Sequence, residues 1–188
     1  RRILFYGYAV VPYSEVVQQL AAPQPRGAAQ IVQLSADMYR RILAAADEEE
    51  RPSALRDQAV IALLLGCGLR RAEVTTLRME HLNMAEGSLM VLGKGNKERR
   101  VFLTPAVSSR IHAWLAVRGP ASGWLFGRYT KGGRLILETP LDPASIGRIV
   151  GKALDESGIE HITTHDLRRT FATRLLSKNV DIVAVKNL

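Results

Sequence analysis

The sequence predicts an α+β domain that is mainly α-helical and carries one small antiparallel β-sheet. Apolar residues recur at helical spacing behind capping residues in several segments, and two strand-like segments flank one glycine-rich turn. The composition, 47% hydrophobic and 23% charged, is that of an ordinary globular chain. A chain of 188 residues buries roughly 70% of its unfolded surface, which is ample for a hydrophobic core.

Helices are expected where a capping residue precedes apolar positions at helical spacing. In chain order they begin after Ser35, after Ser53, at Arg71 (to Leu77), after Thr104 (to about Arg118), at about Pro143 (to Glu156) and at about His165 (to Ser177), and Asp181 caps a last piece. The second helix is expected to stop at Gly66. Because its residues 59–65 are apolar on nearly all sides, it should lie at the centre of the core, with Cys67 as a buried thiol.

A β-hairpin is expected between the third and fourth helices. Residues 88–92 and 98–103 have strand-like composition and flank the glycine-rich segment 93–97. Residues 121–141 are interpreted as loop-rich. Residues 21–27 contain two prolines and a glycine, a composition typical of a linker.

Composition and charge exclude several classes of protein. One cysteine excludes a disulfide framework and a cysteine-cluster metal site, which fits a reducing, cytoplasmic setting, and no apolar run is long enough to span a membrane. The 26 Lys and Arg residues against 18 Asp and Glu give a net charge of +8. This balance favours a polyanionic partner, with nucleic acid first, although a ribosome-associated protein or an enzyme with an ordinary surface has the same balance.

Three separated segments place charged residues beside glycines or helix ends. They are Gly68-Leu69-Arg70-Arg71-Ala72-Glu73, Gly93-Lys94-Gly95-Asn96-Lys97-Glu98-Arg99 and His165-Asp166-Leu167-Arg168-Arg169-Thr170-Phe171-Ala172-Thr173. On a helix His165, Arg168 and Arg169 share one polar face, and Leu167 and Phe171 lie on the other side, where they can pack into the core.

Together these motifs resemble those of the tyrosine recombinase or phage integrase family, most closely its Xer-like members, over residues 34–188. The resemblance implies that residues 1–27 are the end of a core-binding domain with its linker and that residues 28–188 are a catalytic domain. It implies cleavage of DNA by a tyrosine that forms a 3′-phosphotyrosyl intermediate, with no metal or nucleotide cofactor. The implied partners are double-stranded DNA and other recombinase subunits in a tetrameric synapse.

The resemblance also implies a role for each site residue. Arg70 and Arg168 clamp the phosphate, a task that suits the planar guanidinium fork better than lysine. Lys94 protonates the departing 5′ oxygen, and His165 positions the phosphate and exchanges its protons. Glu73 orients its neighbours.

Each assignment has a plainer alternative. Arg70 and Glu73 could be an ordinary surface pair at i,i+3, Lys94 could be a solvated turn lysine, and His165 could cap its helix. Lys94 is not part of a phosphate-binding P-loop, because Ser88 occupies the position of the first glycine and Gly95 follows the lysine.

Further basic and polar residues are candidates for contacts with DNA. They are Lys97, Arg99 and Arg100 in the hairpin, Ser145, Arg148 and Lys152 on one face of the helix after Pro143, and Arg169, which stands where many relatives have histidine. A solvated charged face is the alternative for each of them.

The resemblance departs from the family at the end of the chain. Relatives continue beyond a segment like residues 183–188 to the nucleophilic tyrosine, so we expect this chain to be a recombinase fragment without its nucleophile and unable to cleave DNA alone. No nucleophile is assigned to Tyr6, Tyr8, Tyr13, Tyr39 or Tyr129. The alternative function is a catalytically inactive DNA-binding module that occupies recombination sites, and a less favoured one is an unrelated basic RNA-binding protein.

Overall fold

The computed structural model describes residues 34–47, 51, 53–93 and 97–177. The predictions for residues 1–27, for Lys94 and for the last helical piece capped by Asp181 lie outside these residues. Within the described residues the helices are α1 (Ala36–Asp47), α2 (Ala54–Cys67), α3 (Arg71–Thr75), α4 (Pro105–Arg118), α5 (Pro143–Glu156) and α6 (Thr164–Ser177), with a 3-10 turn at Met79–His81; the strands are β1 (Leu82–Asn83), β2 (Ser88–Leu92), β3 (Glu98–Phe102), β4 (Gly127–Tyr129) and β5 (Leu135–Pro140). The predicted fold class is therefore confirmed.

Helix α2 is the centre of the core, as its apolar sequence predicted. It packs against α1, α4, α5 and α6, and nearly all of its side chains are buried. Burial raises the pKa of the Cys67 thiol to about 12, so this cysteine is a core residue, as expected. The prediction that Ser53 caps this helix was wrong for its side chain, which makes no capping hydrogen bond. The Ser53 hydroxyl instead accepts a hydrogen bond of 2.6 Å from Arg51.

The end of α2 differs from the prediction. The helix continues past Gly66 to Cys67, and Gly68, at φ +61°, is the left-handed residue that ends it. Gly66 has a packing role instead, because a Cβ built there would lie 2.4 Å from a methyl carbon of Val107 in α4. The absence of a side chain at Gly66 thus allows α4 to pack closely against α2 at this point.

The predicted hairpin is present and belongs to a three-stranded antiparallel sheet in the order β1-β2-β3. Leu89 lies opposite Val101, and Val91 lies opposite Arg99. The side chains of Leu89, Val91 and Val101 are buried, so one face of the sheet packs on the core. Strand β1 was not predicted, because it has only two residues and depends on pairing with β2.

The segment 121–141 is more ordered than its composition suggested. Strands β4 and β5 form an antiparallel pair with an irregular register between Gly127 and Arg128. Before them, the buried guanidinium of Arg118 donates hydrogen bonds to the carbonyl oxygens of Gly119, Ala121 and Trp124 at 2.6–3.2 Å. The interpretation as loop was wrong for residues 127–129 and 135–140, since neither strand has the alternation of apolar residues that identifies a strand locally.

Local capping sets the starts of the remaining helices. The hydroxyl of Thr104 accepts from the backbone N–H of Val107 at the start of α4, and the carboxylate of Asp142 accepts from Ser145 N–H at 2.8 Å at the start of α5. Both helices have the predicted bounds. No helix in the described part of the chain is long and apolar enough to cross a membrane.

Helix α6 is attached to the first described residue of the domain. The backbone N–H of Leu34 donates a hydrogen bond of 3.0 Å to the hydroxyl of Thr170, and both residues are buried. The segment that leads into α1 is therefore held directly on α6.

Candidate active site

A single buried carboxylate, Glu73, gathers arginines from three separate segments. Arg70 donates to it from its side chain (2.7 Å) and from its backbone N–H (2.8 Å). The two terminal nitrogens of Arg99 in β3 donate to its two oxygens at 3.0 and 2.9 Å. Nη1 of Arg168 in α6 lies 3.9 Å from Oε2. We call Arg70, Arg99 and Arg168 around Glu73 the arginine cluster.

The turn at Gly68 brings α6 to this cluster. A Cβ built on Gly68 would lie 2.2 Å from Cδ1 of Phe171, so the aromatic ring rests directly on the glycine. One turn earlier in α6, Nη1 of Arg168 donates a hydrogen bond to the carbonyl oxygen of Gly68. The same turn starts α3, which begins immediately after Arg70. Gly68 therefore fixes the distance between the segments that carry Arg70 and Arg168.

The cluster carries excess positive charge, because three guanidinium groups face one carboxylate. Burial opposes ionisation of Glu73, but the hydrogen bonds from Arg99 and Arg70 outweigh it and hold its pKa below the usual value. Burial, together with repulsion from Arg70, lowers the pKa of Arg168 to about 10, so this side chain is still charged at neutral pH. The Arg70 side chain is 50% exposed and that of Glu73 only 5%. The arrangement thus presents positive charge toward solvent and is suited to binding an anion.

Arg70, Glu73 and Arg168, which the motifs singled out, come together in this cluster. His165 is the second residue of α6, one turn before Arg168, and is exposed. Lys94 lies outside the described residues. Its neighbour Gly93 is described, and a Cβ built on Gly93 would lie 3.4 Å from Nη1 of Arg99. Within the described ranges no group of three or more His, Cys, Asp or Glu side chains could hold a metal ion.

The face of α5 that is predicted to contact DNA is polar, and its side chains form hydrogen bonds and an ion pair with one another and with nearby residues. The hydroxyl of Ser145 donates to the Asp142 carboxylate at 2.6 Å and accepts from Arg148 at 2.7 Å. Lys152 lies 3.4 Å from the carboxylate of Glu156. The side chains of Arg148 and Lys152 are exposed, and their role in binding DNA stays a prediction.

The other predicted DNA contacts are in different environments. Lys97 is exposed; Arg100 is half-exposed and lies 3.3 Å from Glu86. Arg169 lies 3.8 Å from Asp166, near the start of α6. Arg99 instead has its guanidinium on Glu73, with its side chain only 17% exposed.

The contact between Arg99 and Glu73 was missed from sequence, although the sequence contains a signal for it. Side chains alternate between the two faces of a strand, so Arg99 shares the inner face of β3 with Val101, whereas Glu98, Arg100 and Phe102 are exposed. An arginine on the apolar face of a strand is expected to have a buried acidic partner.

A cleft of about 290 Å³ between the start of α2, strand β4 and α5 was also missed. Its base is the buried pair of Arg56 and Asp57, joined at 2.8 Å, and Arg56 lies 5.1 Å from the centre of the Tyr129 ring. Burial raises the pKa of Asp57 despite this pairing. Arg128 and Arg148 line the same cleft. Only the position of Asp57 in the first turn of a helix was visible in the sequence, and that pattern indicates no cleft.

Comparison with known proteins agrees with this architecture. The phage integrase family model matches residues 33–188. The chain is 35% identical over 161 residues to the tyrosine recombinase XerC of Alcanivorax borkumensis, covering 82% of this chain and 50% of that protein. It is 37% identical over 143 residues to XerC of Pelobacter propionicus, covering 74% of this chain and 45% of that protein. The chain spans about half the length of the curated relatives it matches.

Solved structures share the fold. A crystal structure of XerA recombinase matches 88% of this chain and 56% of its own with a TM-score of 0.70 and 24% identity. XerH site-specific recombinase bound to difH substrate, in a pre-cleavage complex, matches 84% of this chain and 47% of its own with a TM-score of 0.68 and 24% identity. With the match of the family to residues 33–188 and the identities to XerC, these similarities establish that the chain belongs to the phage integrase family of tyrosine recombinases.

Proposed function

We propose that the protein is a site-specific DNA recombinase that breaks and rejoins DNA strands through a 3′-phosphotyrosyl intermediate. Residues 28–188 belong to its catalytic domain, and residues 1–27 to the end of the core-binding domain and the linker. The observation that carries the proposal is the convergence of Arg70 and Arg168 on Glu73, with positive charge in excess. The names of the relatives, all tyrosine recombinases, support an enzyme over a module that only occupies its sites.

The arginine cluster suits the phosphate at the point of cleavage. Its half-exposed member, Arg70, offers N–H donors to the two non-bridging oxygens, and Arg168 lies beside it on the same carboxylate. Glu73 holds both groups in place before the phosphate arrives, so little reorganisation is needed as negative charge develops in the transition state. These residues supply the stabilisation that a metal ion supplies in other phosphoryl-transfer sites.

The proton transfers fall to two other residues. As a phenolate oxygen forms its bond to phosphorus, the bond from phosphorus to the 5′ oxygen breaks, and Lys94 gives that oxygen a proton. His165 positions the phosphate and exchanges protons with it. The two described tyrosines are unsuited to the nucleophilic role: Tyr39 packs under Arg174 and Tyr129 under Arg56, and burial raises the pKa of both.

Double-stranded DNA is the proposed substrate, bound together with other recombinase subunits. The net charge of +8 and the exposed basic residues of α5 support this partner. XerH, which shares the fold, was solved with its difH substrate.

A nicked suicide duplex tests the proposal, because strand loss after cleavage traps the covalent protein–DNA adduct. The full-length protein is compared with its Arg70→Ala and Arg168→Ala variants. Loss of either arginine is expected to slow adduct formation roughly 10²–10³-fold. Arg134→Ala, which removes an exposed arginine from the β4–β5 turn, is the charge-matched control. Adduct formation at the same rate in all four proteins, or no adduct from the unchanged protein, would contradict the proposal.

A further inference from the structure

We propose that the cleft between the start of α2, strand β4 and α5 binds a backbone phosphate of duplex DNA, at a place separate from the arginine cluster. We call it the cationic cleft. None of its lining residues belongs to the arginine cluster. The inference rests on the proposed function, since duplex DNA is the proposed substrate. The sequence had singled out only the side of this cleft that α5 supplies, through Ser145, Arg148 and Lys152.

Positive charge is in excess in the cationic cleft. Its charged lining residues are one carboxylate, Asp57, and five cationic side chains from three parts of the chain: Arg51, Arg56, Arg128, Arg148 and Lys152. Two further carboxylates adjoin them, because Glu156 lies 3.4 Å from Lys152 and Asp142 accepts from Ser145. Even with these, cations outnumber carboxylates five to three. The cleft therefore attracts an anion.

The base of the cationic cleft is held by buried contacts. Asp57 is 3% exposed and pairs with Arg56 at 2.8 Å and with Arg51 at 2.6 Å. Nη1 of Arg56 donates a hydrogen bond of 3.1 Å to the carbonyl oxygen of Gly127, the residue before Arg128. The start of α2 and strand β4 are thus fixed relative to each other. An anion that enters meets side chains already in place, so binding requires little further ordering.

The rim of the cationic cleft carries arginine donors directed to no acidic group. Arg128 is exposed, and its guanidinium has no hydrogen-bond or ion-pair partner among the described residues. Arg148 is exposed and donates to the Ser145 hydroxyl at 2.7 Å, which uses one of its five N–H donors. A guanidinium fork matches the two non-bridging oxygens of a phosphodiester. The rim therefore suits a phosphate.

The size of the cationic cleft favours a group presented by a larger molecule. Its volume is about 290 Å³. Pockets that enclose small molecules span roughly 300–1,000 Å³ and are lined mainly by apolar side chains. Here the apolar lining residues Leu141 and Ile149 are buried, whereas the cations of the rim face solvent. A phosphodiester of an extended polyanion can reach these cations from outside.

Helix α5 separates the cationic cleft from the arginine cluster. It packs against α3, which starts beside that cluster, and a Cβ built on Gly147 would lie 3.2 Å from Nη1 of Arg71 in α3. Ser145, Arg148 and Lys152 follow the spacing i, i+3, i+7, and their common direction is roughly 130° from Gly147 around the helix axis. The two sites therefore lie on different sides of α5 and take different phosphates.

The hairpin of β4 and β5 supplies a matched pair of arginines for the test. Arg128 and Arg134 are both exposed, and only Arg128 lines the cleft. In the full-length protein, Arg128→Gln should weaken binding of a labelled mixed-sequence duplex roughly tenfold at low salt. It should also reduce the slope of log K against log salt by about 1. Arg134→Gln should change the dissociation constant less than about threefold. Equal effects of the two substitutions would overturn the inference.

A double-variant cycle tests whether Arg128 and Arg148 hold the same phosphate. If they do, Arg128→Gln with Arg148→Gln should weaken binding by less than the product of the two single fold-changes, because a phosphate released by one arginine is held less firmly by the other. Arg134→Gln with Arg148→Gln should give the product, as expected for independent sites. The product in both pairs would mean that no phosphate is shared and would contradict the inference.

A free nucleotide is the alternative occupant, and ATP at constant ionic strength is the probe for it. If Arg128→Gln abolishes binding of ATP and leaves duplex binding unchanged, the cleft is a nucleotide site and the inference is wrong. The proposed function fails separately, because it is measured by covalent adducts of the Arg70→Ala and Arg168→Ala proteins and the inference by duplex affinity. Thermal unfolding shows whether each variant is folded. Arg148→Gln, compared with Arg134→Gln, carries the affinity test if Arg128→Gln is not.

Discussion

At the scale of single residues, Glu73 is the group on which the site depends most. It accepts hydrogen bonds from Arg70 and from the fork of Arg99 and lies near a third guanidinium, and its side chain is almost completely buried. Without this carboxylate three like charges would face one another in a partly buried space. The stability of the domain and the geometry of the proposed phosphate clamp are therefore linked through one side chain.

Glu73→Gln keeps the shape of the side chain and removes its charge. Because hydrogen bonds lower the pKa of Glu73 below its ordinary value of 4.5, its ionised form stabilises the folded state fully above that pH. The stabilisation is lost as the pH falls through the lower pKa of the folded state. We expect the variant to lose roughly 2 kcal/mol of unfolding free energy at pH 7.

Urea unfolding of both proteins between pH 7 and pH 3 measures this difference, which should shrink as the solution becomes more acidic. Glu98→Gln, an exposed position in the same hairpin, is the control. A difference that stays constant over the whole range would mean that the charge of Glu73 does not contribute.

The motifs singled out Arg70, Glu73 and Arg168, which lie close together in the arginine cluster, because these residues stand beside glycines and helix ends. Arg70 and Glu73 are three residues apart, so the local turn alone brings them together. The contact between Arg99 and Glu73 was harder to predict, since it joins residues 26 apart and depends on how β3 packs beside α3. Lys97, Arg99 and Arg100 stand close together in the sequence of the hairpin. Of the three, only Arg99 lies on the inner face of β3 that packs on the core.

At the scale of elements, the contact between α6 and the turn after α2 depends on a glycine. Gly68 has a positive φ, and the ring of Phe171 occupies the space that a Cβ at this position would need. Gly87 has nearly the same φ, +59° against +61°, but a Cβ built there would have no atom within 4 Å. The two positions therefore separate backbone strain from steric overlap.

Gly68→Ala should lower the unfolding free energy by about 2–5 kcal/mol, the sum of left-handed strain and overpacking. Gly87→Ala should lose only the strain, about 1–2 kcal/mol. Denaturant unfolding of both variants gives the two values. Phe171→Leu in the Gly68→Ala background should recover part of the loss, because a smaller side chain gives space to the new methyl group. Equal losses at the two glycines would mean that the ring moves freely and does not fix α6.

The helices were predicted with good bounds because their determinants are local. Thr104 and Asp142 cap the helices that follow them, and a proline stands after each cap. The strands β1, β4 and β5 were missed because their partners, and not their own sequences, define them. Gly66 was misassigned as a helix end, because sequence does not distinguish a glycine that ends a helix from one that admits a neighbouring helix.

At the scale of the whole molecule, the net charge bears on the proposed interaction with DNA. The net charge of +8 predicts that the chain binds duplex DNA with an affinity that falls steeply as salt rises, because bound counterions are released. Arg148→Gln combined with Lys152→Gln should reduce the slope of log K against log salt by about 2 if each residue contacts a phosphate.

Fluorescence anisotropy at several salt concentrations measures the slope. A double variant at Lys131 and Arg134, both exposed in the β4–β5 turn, removes the same charge elsewhere and should leave the slope nearly unchanged. An affinity that does not vary with salt would exclude a phosphate-dominated interface. Equal reductions in both double variants would exclude α5 as the specific contact.

The hydrogen bond from Leu34 to Thr170 makes one amide a reporter on a distant helix. An N–H that is bonded to α6 exchanges with deuterated solvent only when that contact opens. Its exchange rate should therefore follow the opening of the helix that carries Arg168, although Leu34 precedes α1 in the chain. Thr170→Val, which removes the acceptor, should speed exchange at Leu34 and leave the amides in the middle of α2 protected. Binding of a phosphate-containing duplex that holds Arg168 in place should slow exchange at the same amide, so local opening at the site becomes measurable without any catalytic turnover.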